Sequence, residues 1–335
     1  MKTAVVIPNW NGIGLLDRCL DSLKNQTVPV HVILVDNGST DRSVKLVENS
    51  FPEVEVVKLD HNYGFTGGVN AGIEAALAKN YEYIALFNND AEAAVNWIET
   101  LTGTMDSDAS ISIVASKMLA IDRKKLDSTG EQYSIWGTPF PRGRGEIDTG
   151  QYDSEEQRPV FAASGGASLY RAELFKQIGM FDQRFFAYYE DVDISFRAQL
   201  AGWSVRYEPK AHVYHHIGGT SSKLGSFSQY HMLKNMWYLY AKNMPRKLFW
   251  RHLPKVIIGL KLKSFSLLAH LQFKPVLKAW GDIFTNLASI LRDRRQIQRD
   301  SVVSAETIDA LLYHDLSPTQ KQKKLYRLLS RSSNG

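Results

Sequence analysis

Short runs of consecutive apolar residues alternate with segments whose apolar positions recur every three or four residues. Residues 4–8 (AVVIP), 30–35 (VHVILV), 54–59 and 83–87 (YIALF) are apolar without polar alternation, the pattern of strands buried on both faces. Between them, residues 15–23, 43–49 and 69–78 carry helical spacing. Such an alternation predicts an α/β fold, a Rossmann-like and mostly parallel central sheet with helices on both faces. Ligands of these sheets bind beyond the carboxyl ends of the strands. Polar clusters follow each of those ends: Asn9 and Asn11, then Asp36-Asn37-Gly38-Ser39, then residues 60–62, then Asn88-Asn89-Asp90. Asn, Asp and Gly are ordinary turn residues, so one cluster alone says little. Four in register on one rim point to a polar ligand.

The middle of the chain is less regular. Residues 132–157 are polar and rich in Gly, Pro and acidic residues, which reads as a long lid or binding loop. Residues 161–170 (FAASGGASLY) read as a strand interrupted by glycines, 171–178 and 191–201 as helices, and 204–208 as a short strand. From Ser226 the pattern is helical throughout. The expected division is an α/β domain over 1–225 and a helical region over 226–335.

Composition narrows the class. With 335 residues, 44% of them hydrophobic and 22% charged, the chain can build a sizeable core, and extended disorder is not expected. The single cysteine, Cys19 in LLDRCLDSL, excludes an intrachain disulfide and fits a reducing compartment. The start, MKTAVVIPNW, reads as a first strand and not as a signal peptide. No stretch reaches the roughly 18 consecutive apolar residues of a membrane span. There is no GxxxxGK phosphate loop, no GxGxxG after the first strand and no GxSxG elbow, so nucleotide hydrolases, dinucleotide oxidoreductases and esterases lose support.

The ordered set VVIPNWNG, VDNGSTD, NYGFTGGVNAG, LFNNDAE, YYEDVDISFR and HHIGGTS resembles the family 2 glycosyltransferases, whose fold is called GT-A. Within them it is most similar to the rhamnosyltransferase-type enzymes of bacterial surface polysaccharide synthesis. The likeness covers roughly the first two thirds of the chain. It implies an inverting transfer of a sugar from a nucleoside-diphosphate donor, dTDP-rhamnose or a UDP-sugar, to a glycan or lipid-linked saccharide, with Mg²⁺ or Mn²⁺ as cofactor.

The resemblance also implies roles, each beside a plainer reading. Asp36 would accept from the N–H of a uracil or thymine ring, with Pro8 and Asn11 lining the same pocket; it would serve equally as an Asx-turn acceptor for Ser39 or Thr40. Asn62, Gly67 and Asn70 lie in a glycine-rich helix start that favours a polar or anionic ligand, or simply packs closely on the sheet. Asp90 matches the last position of an Asp-x-Asp metal motif, and Asn88 stands where the first Asp is usual, which removes one charge and assigns Asn88 to the donor ribose or sugar. Asp191 matches the base that takes the acceptor's proton, with Glu190 as acceptor contact. Asp193 with Arg197 reads as a helical ion pair. His215, with His216 second, is a metal or diphosphate ligand or half of a structural pair. Gly166 and Ala167 would line the acceptor side or form a bulge. Trp136 reads first as a packing residue, with stacking on a sugar face as the alternative.

The final third interleaves Lys, Arg and His with Leu, Ile, Phe and Trp, as in KLFWRHLPKVIIGLKLKSFSLLAHLQFK. A bundle packed on the catalytic domain and a lipid-binding surface both fit. No nucleic-acid motif accompanies the charge. The expected location is cytoplasmic, peripheral on the inner face of the membrane. Two rival classes remain: a sugar nucleotidyltransferase, which needs a Gly-rich, Arg-containing loop that VVIPNWNG lacks, and a non-catalytic sugar-nucleotide or lipid-binding scaffold.

Overall fold

A computed structural model describes residues 2–216, 225–318, 320 and 321. Gly218-Gly219-Thr220 of the HHIGGTS motif lie outside the described residues. The first half builds β1 (Thr3–Asn9), α1 (Leu16–Lys24), β2 (His31–Asn37), α2 (Ser43–Ser50), β3 (Glu55–Leu59), α3 (Gly64–Ala78), β4 (Tyr83–Phe87), β5 (Ala91–Ala93), α4 (Trp97–Ser107) and β6 (Ile111–Ala120). Then follow β7 (Leu126–Ser128), β8 (Glu131–Tyr133), β9 (Pro139–Pro141), β10 (Ala167–Arg171), α5 (Ala172–Ile178), α6 (Glu190–Leu200) and β11 (Ser204–His215). Five helices close the chain: α7 (Gly225–Asn243), α8 (Arg246–Ala269), α9 (Phe273–Thr285), α10 (Leu287–Asp300) and α11 (Ala305–Leu311).

The main sheet runs β3-β2-β1-β4-β10-β6-β11-β5, with β7 paired to β6. β1 to β4 are mutually parallel, and β10 enters antiparallel between β4 and β6. Period-two side-chain alternation divides β1 between two cores. Val5 and Ile7 pack with Leu16, Cys19 and Leu20 of α1 and with Trp97 of α4. Ala4 and Val6 pack on the other face with Val69 and Ile73 of α3. The expected sheet covered on both faces is therefore present.

Several boundaries differ from the pattern-based reading. Helix α3 begins at Gly64, so its glycines lie within the helix. Gly72 explains one of them: a Cβ there would stand 2.3 Å from Val6 Cγ1, so the glycine lets α3 sit directly on the sheet. The expected loop 132–157 contains β9 and most of β8, a small hairpin that its prolines and glycines disguise. The strand expected over 161–170 forms only from Ala167. The short strand at 204–208 is the first part of β11, which continues past an irregularity between Glu208 and His212 to His215.

Helices α7 to α11 share one core with the first two thirds of the chain. Leu233, Met236, Leu239, Tyr240, Leu248 and Val256 pack with Tyr133, Phe161, Phe185 and Phe196. A buried charge network adds to this contact. Asp193 of α6 pairs with Arg197 at 2.9 Å and with Lys242 of α7 at 2.9 Å, and accepts from Asn243 at 2.7 Å. Lys242 also reaches Asp182 at 2.8 Å. The expected Asp193–Arg197 pair is thus part of a larger junction between α6 and α7.

Candidate active site

The four polar strand ends form a connected rim. Asn9 stands beside Asp36 in the β1–β2 register. Asn89 donates to Asn9 Oδ1 at 2.8 Å, and Asn9 donates to Ser43 Oγ at 3.1 Å. Asn37 donates to the carbonyl of Gly64 at 2.8 Å and to Asn62 Oδ1 at 3.3 Å. These amides fix one another at the carboxyl edge of the sheet, where the fold places ligands.

Above the rim opens a cleft of about 1500 Å³. Of the residues singled out from the sequence, Pro8, Asn62, Asn88, Asp90, Gly166, Glu190, Asp191 and His215 line it. Asn11, Asp36, Gly67, Asn70 and Ala167 are not among its lining residues, and each makes an internal contact. Asn11, in a left-handed conformation (φ 51°), accepts from the backbone N–H of Thr40 at 2.8 Å and of Asp41 at 3.2 Å. Asp36 is buried and accepts from the N–H of Ser39 at 3.3 Å, the Asx-turn alternative. Gly67 lies where a Cβ would meet Tyr63 Cβ at 2.3 Å. Asn70 donates to the carbonyl of Phe181 at 2.8 Å and accepts from its N–H at 3.1 Å. Its amide ties α3 to the Phe181 backbone through one donated and one accepted hydrogen bond. Ala167 pairs with Phe87 inside the sheet.

At one side of the cleft, His215 bridges two carboxylates. Its Nε2 is 3.1 Å from Asp90 Oδ1 and its Nδ1 is 2.8 Å from Asp127 Oδ2. Burial disfavours the charged imidazole, but the hydrogen bonds to Asp127 and Asp90 outweigh it and hold the pKa at about 9. Asp127 is also buried; its contacts with His215 and Arg144 overcome that burial and keep it below the usual carboxylate range. Arg144 reaches Asp127 Oδ1 at 2.9 Å. His216 turns away, to Glu92 at 3.2 Å. Oxygen and imidazole donors from Asp90 and His215 suit a borderline-hard divalent cation. Among the described residues, no group of three or more His, Cys, Asp or Glu forms a ready-made cage. The donor set fits an ion completed by oxygens from a ligand.

At the other side, a second carboxylate group opens α6. Asp191 accepts from the N–H of Gly165 at 3.0 Å and of Val192 at 2.8 Å, which fixes both its oxygens. Burial raises its pKa, opposed by those N–H groups and by Arg144. Glu190 is buried with Oε2 unpartnered; burial and the charge of Asp191 push it well above the normal range. Glu131, across the cleft, accepts from Ser128 Oγ at 3.1 Å and is pushed up to about 8 by burial and by Asp191. A small cluster of high-pKa carboxyl groups beside a cation-competent pair is suited to proton transfer near an anionic leaving group.

The turn that presents these groups is strained. Phe186, Tyr188 and Tyr189 all have positive φ, at 64°, 71° and 72°. Residues of α7 hold it. Asn235 Nδ2 donates to the carbonyls of Phe185, Ala187 and Tyr188 at 3.0, 2.9 and 2.7 Å. His231 Nδ1 donates to Phe185 O at 3.1 Å, and Lys234 to Arg184 O at 2.6 Å. Sequence reasoning passed over Asp127, Glu131, Arg144 and Asn235. Asp127 and Glu131 lie in KKLDSTGEQY, which has no helical or strand periodicity to mark them, and Asn235 sits inside an otherwise ordinary helix. Trp136, for which packing and sugar stacking are the two readings, lines the cleft.

A two-sided α/β sheet whose carboxyl-edge cleft is lined by the Asp90–His215 pair and by the backbone-fixed Asp191 fits the GT-A fold of glycosyltransferases. The chain belongs to the glycosyl transferase family 2, whose model matches residues 4–179. It is 31% identical over 225 residues to the N-acetylglucosaminyl-diphospho-decaprenol L-rhamnosyltransferase of Mycobacterium tuberculosis, covering 60% of this chain and 71% of that one. It is 25% identical over 273 residues to the dTDP-rhamnosyl transferase RfbF of Shigella flexneri, covering 79% and 85%. Solved structures agree on the fold. S. aureus TarS 1–349 aligns with a TM-score of 0.57 at 16% identity over 94% of this chain and 93% of that one. The mannosyltransferase PcManGT from Pyrobaculum calidifontis, in complex with GDP-Man and Mn²⁺, aligns with 0.55 at 12% identity, covering 89% and 85%.

Proposed function

We propose that the chain transfers a sugar, with inversion, from a nucleoside-diphosphate donor to a glycan or lipid-linked saccharide during cell-surface polysaccharide synthesis. Relatives named as rhamnosyltransferases favour dTDP-rhamnose as donor, with a UDP-sugar as the alternative. The observation that supports the reading is the shared cleft: Asp191, fixed by two backbone N–H groups, lines the same cleft as the Asp90–His215 pair.

Asp191 takes the proton from an acceptor hydroxyl as that oxygen bonds to the anomeric carbon and the bond to the diphosphate oxygen breaks. Its raised pKa suits a group that must hold the proton at the end of the step. Glu190 and Glu131 flank the acceptor, and Gly166 leaves room for a sugar ring against the backbone. Asn62, Asn88 and Pro8 lie on the donor side. Asp36 accepts from the Ser39 N–H through Oδ1 and would offer its other oxygen to the N–H of the base. Asp90 and His215 would hold a divalent cation, whose chemistry is to neutralise charge on the departing diphosphate. The carboxyl-terminal helices would rest on the inner face of a membrane, with the catalytic cleft in the cytoplasm.

Asp191→Asn keeps the size and the N–H contacts of one oxygen but removes the base. Turnover, read as nucleoside diphosphate release, should fall by about 10²- to 10⁴-fold with the donor KM little changed. A variant that turns over like wild type refutes the assignment and favours a binding scaffold.

A further inference from the structure

The cleft has a second arm that the sugar chemistry does not use. Met232 and Met236 of α7 and Ile258, Leu262 and Leu267 of α8 line it, and no sugar diphosphate needs so apolar a wall. Ile258 and Leu262 belong both to this wall and to the exposed surface. Phe265, 68% exposed, continues the same face at the i, i+4, i+7 spacing of a helix. On α9, Phe273, Leu277 (72% exposed) and Phe284 form a second exposed stripe, and Leu271 stands exposed between the two helices. A soluble surface rarely carries so many large apolar side chains together without a partner.

Charge identifies the partner. Residues 246–281 hold eight Lys and Arg residues and no Asp or Glu, whereas the whole chain nets only +5. Lys261, Lys274 and Lys278 are exposed among the apolar residues. A basic helical hairpin with aromatic and Leu stripes fits an anionic bilayer surface. No described helix is long and apolar enough to cross a membrane, so the hairpin would lie on the bilayer. Lys263 lines the cleft with its Nζ 6.0 Å from the centroid of the ring of Tyr189, the residue that precedes Glu190 in the chain. It places a cation where the apolar arm meets the carboxylates.

We propose that the apolar arm of the cleft and the exposed stripes of α8 and α9 form one continuous track for the hydrocarbon chain of a membrane-embedded, phosphate-bearing lipid acceptor. The chain runs from the bilayer over Phe265, Leu262 and Ile258, its phosphate meets Lys263, and its sugar reaches Asp191. The inference rests on the glycosyltransferase reading for what happens at Asp191, but its tests involve no turnover.

In the first test, protein is sedimented with vesicles of phosphatidylglycerol and phosphatidylcholine, and with phosphatidylcholine alone. Wild type should pellet with the anionic vesicles only. Phe265→Glu with Leu277→Glu should weaken binding about tenfold or more, and Lys274→Glu by roughly fivefold. These side chains are exposed, so folding, checked by circular dichroism, should be unchanged. In the second test, farnesyl diphosphate and dimethylallyl diphosphate are titrated calorimetrically. The longer chain should bind at least about tenfold tighter, and Leu262→Glu should abolish that preference while sparing the short probe. Wild type left in the supernatant, equal affinity for both diphosphates, or a dimer that Phe265→Glu dissociates would each overturn the proposal. Asp191→Asn should still pellet with the anionic vesicles and keep the preference for the longer chain. If that variant keeps turnover while both tests succeed, the chemistry is wrong and the track stands.

Discussion

Asn235 offers the sharpest test of how the helical region serves the site. Its Nδ2 is the donor to three carbonyls, at 2.7–3.0 Å, of a turn in which Phe186, Tyr188 and Tyr189 are left-handed. A non-glycine residue in that region costs roughly 1 kcal/mol or more, so the turn stores about 3 kcal/mol. Removing the amide loses two donors, at about 1 kcal/mol each, and leaves buried carbonyls short of partners, at about 1–3 kcal/mol more. The clamp and the strain are thus of similar size, and Asn235→Ala should let the turn relax. Glu190 and Asp191 follow directly on Tyr189, so they would move with it. A displacement of about 1 Å costs on the order of 10²-fold in rate. The released strain offsets most of the lost clamp, so the expected result is a urea-unfolding loss of about 1–2 kcal/mol and a turnover loss of about 10²-fold, with the donor KM little changed because Asp90 and His215 stand on other elements. Asn235→Asp, equal in size but without donors, should do the same. If both variants keep full turnover and lose only stability, the turn holds itself and the reasoning fails.

Three further outcomes are expected. Glu131 has a folded pKa near 8 against an ordinary 4.5, so the native state binds its proton more tightly, and stability is lost as pH rises from about 4.5 towards 8. Glu131→Gln should therefore be more stable than wild type at neutral pH by about 3 kcal/mol at most, with the gap closing near pH 4; melting curves with a gap independent of pH would contradict this. Mn²⁺ added with a nucleoside diphosphate should raise the melting temperature of wild type, and Asp90→Ala or His215→Ala should remove the metal-dependent part; an unchanged shift would place the ion elsewhere. Lys242→Met breaks the buried contacts with Asp182 and Asp193. It should cost about 3–5 kcal/mol in chemical unfolding, and a loss under 1 kcal/mol would show that Arg184 and Arg197 suffice as partners.

Much of this protein was legible from local pattern. Continuous apolar runs mark strands buried on both faces, because each face must find a covering helix, and β1 does so with Val5 and Ile7 on one side and Ala4 and Val6 on the other. The strand ends then placed Asn9, Asn37, Asn62, Asn88 and Asp90 on one rim, since parallel strands point their carboxyl ends the same way. The motif order brought in Glu190, Asp191 and His215, and all three reached the cleft.

Other features had no local trace. Whether an asparagine faces a ligand or its own backbone depends on what packs against it: Asn62 reaches the cleft, while Asn70, on the same helix system, ties down Phe181. Asp127, Glu131 and Arg144 acquire chemical meaning only because β7, paired to β6, and the β8–β9 hairpin bring them to the cleft and to His215. The basic tail read equally as a bundle or a lipid surface; tertiary structure gave α7 the first role, through Asn235 and Lys242, and left the outward stripes of α8 and α9 uncovered. The sequence alone determined the sheet, its rim and the order of its chemical groups, because apolar periodicity and turn chemistry act over a few residues. Partnerships across the cleft, raised carboxyl pKa values and the support of a strained turn by a distant helix were decided by tertiary structure, because burial and electrostatic coupling depend on distance in space and not along the chain.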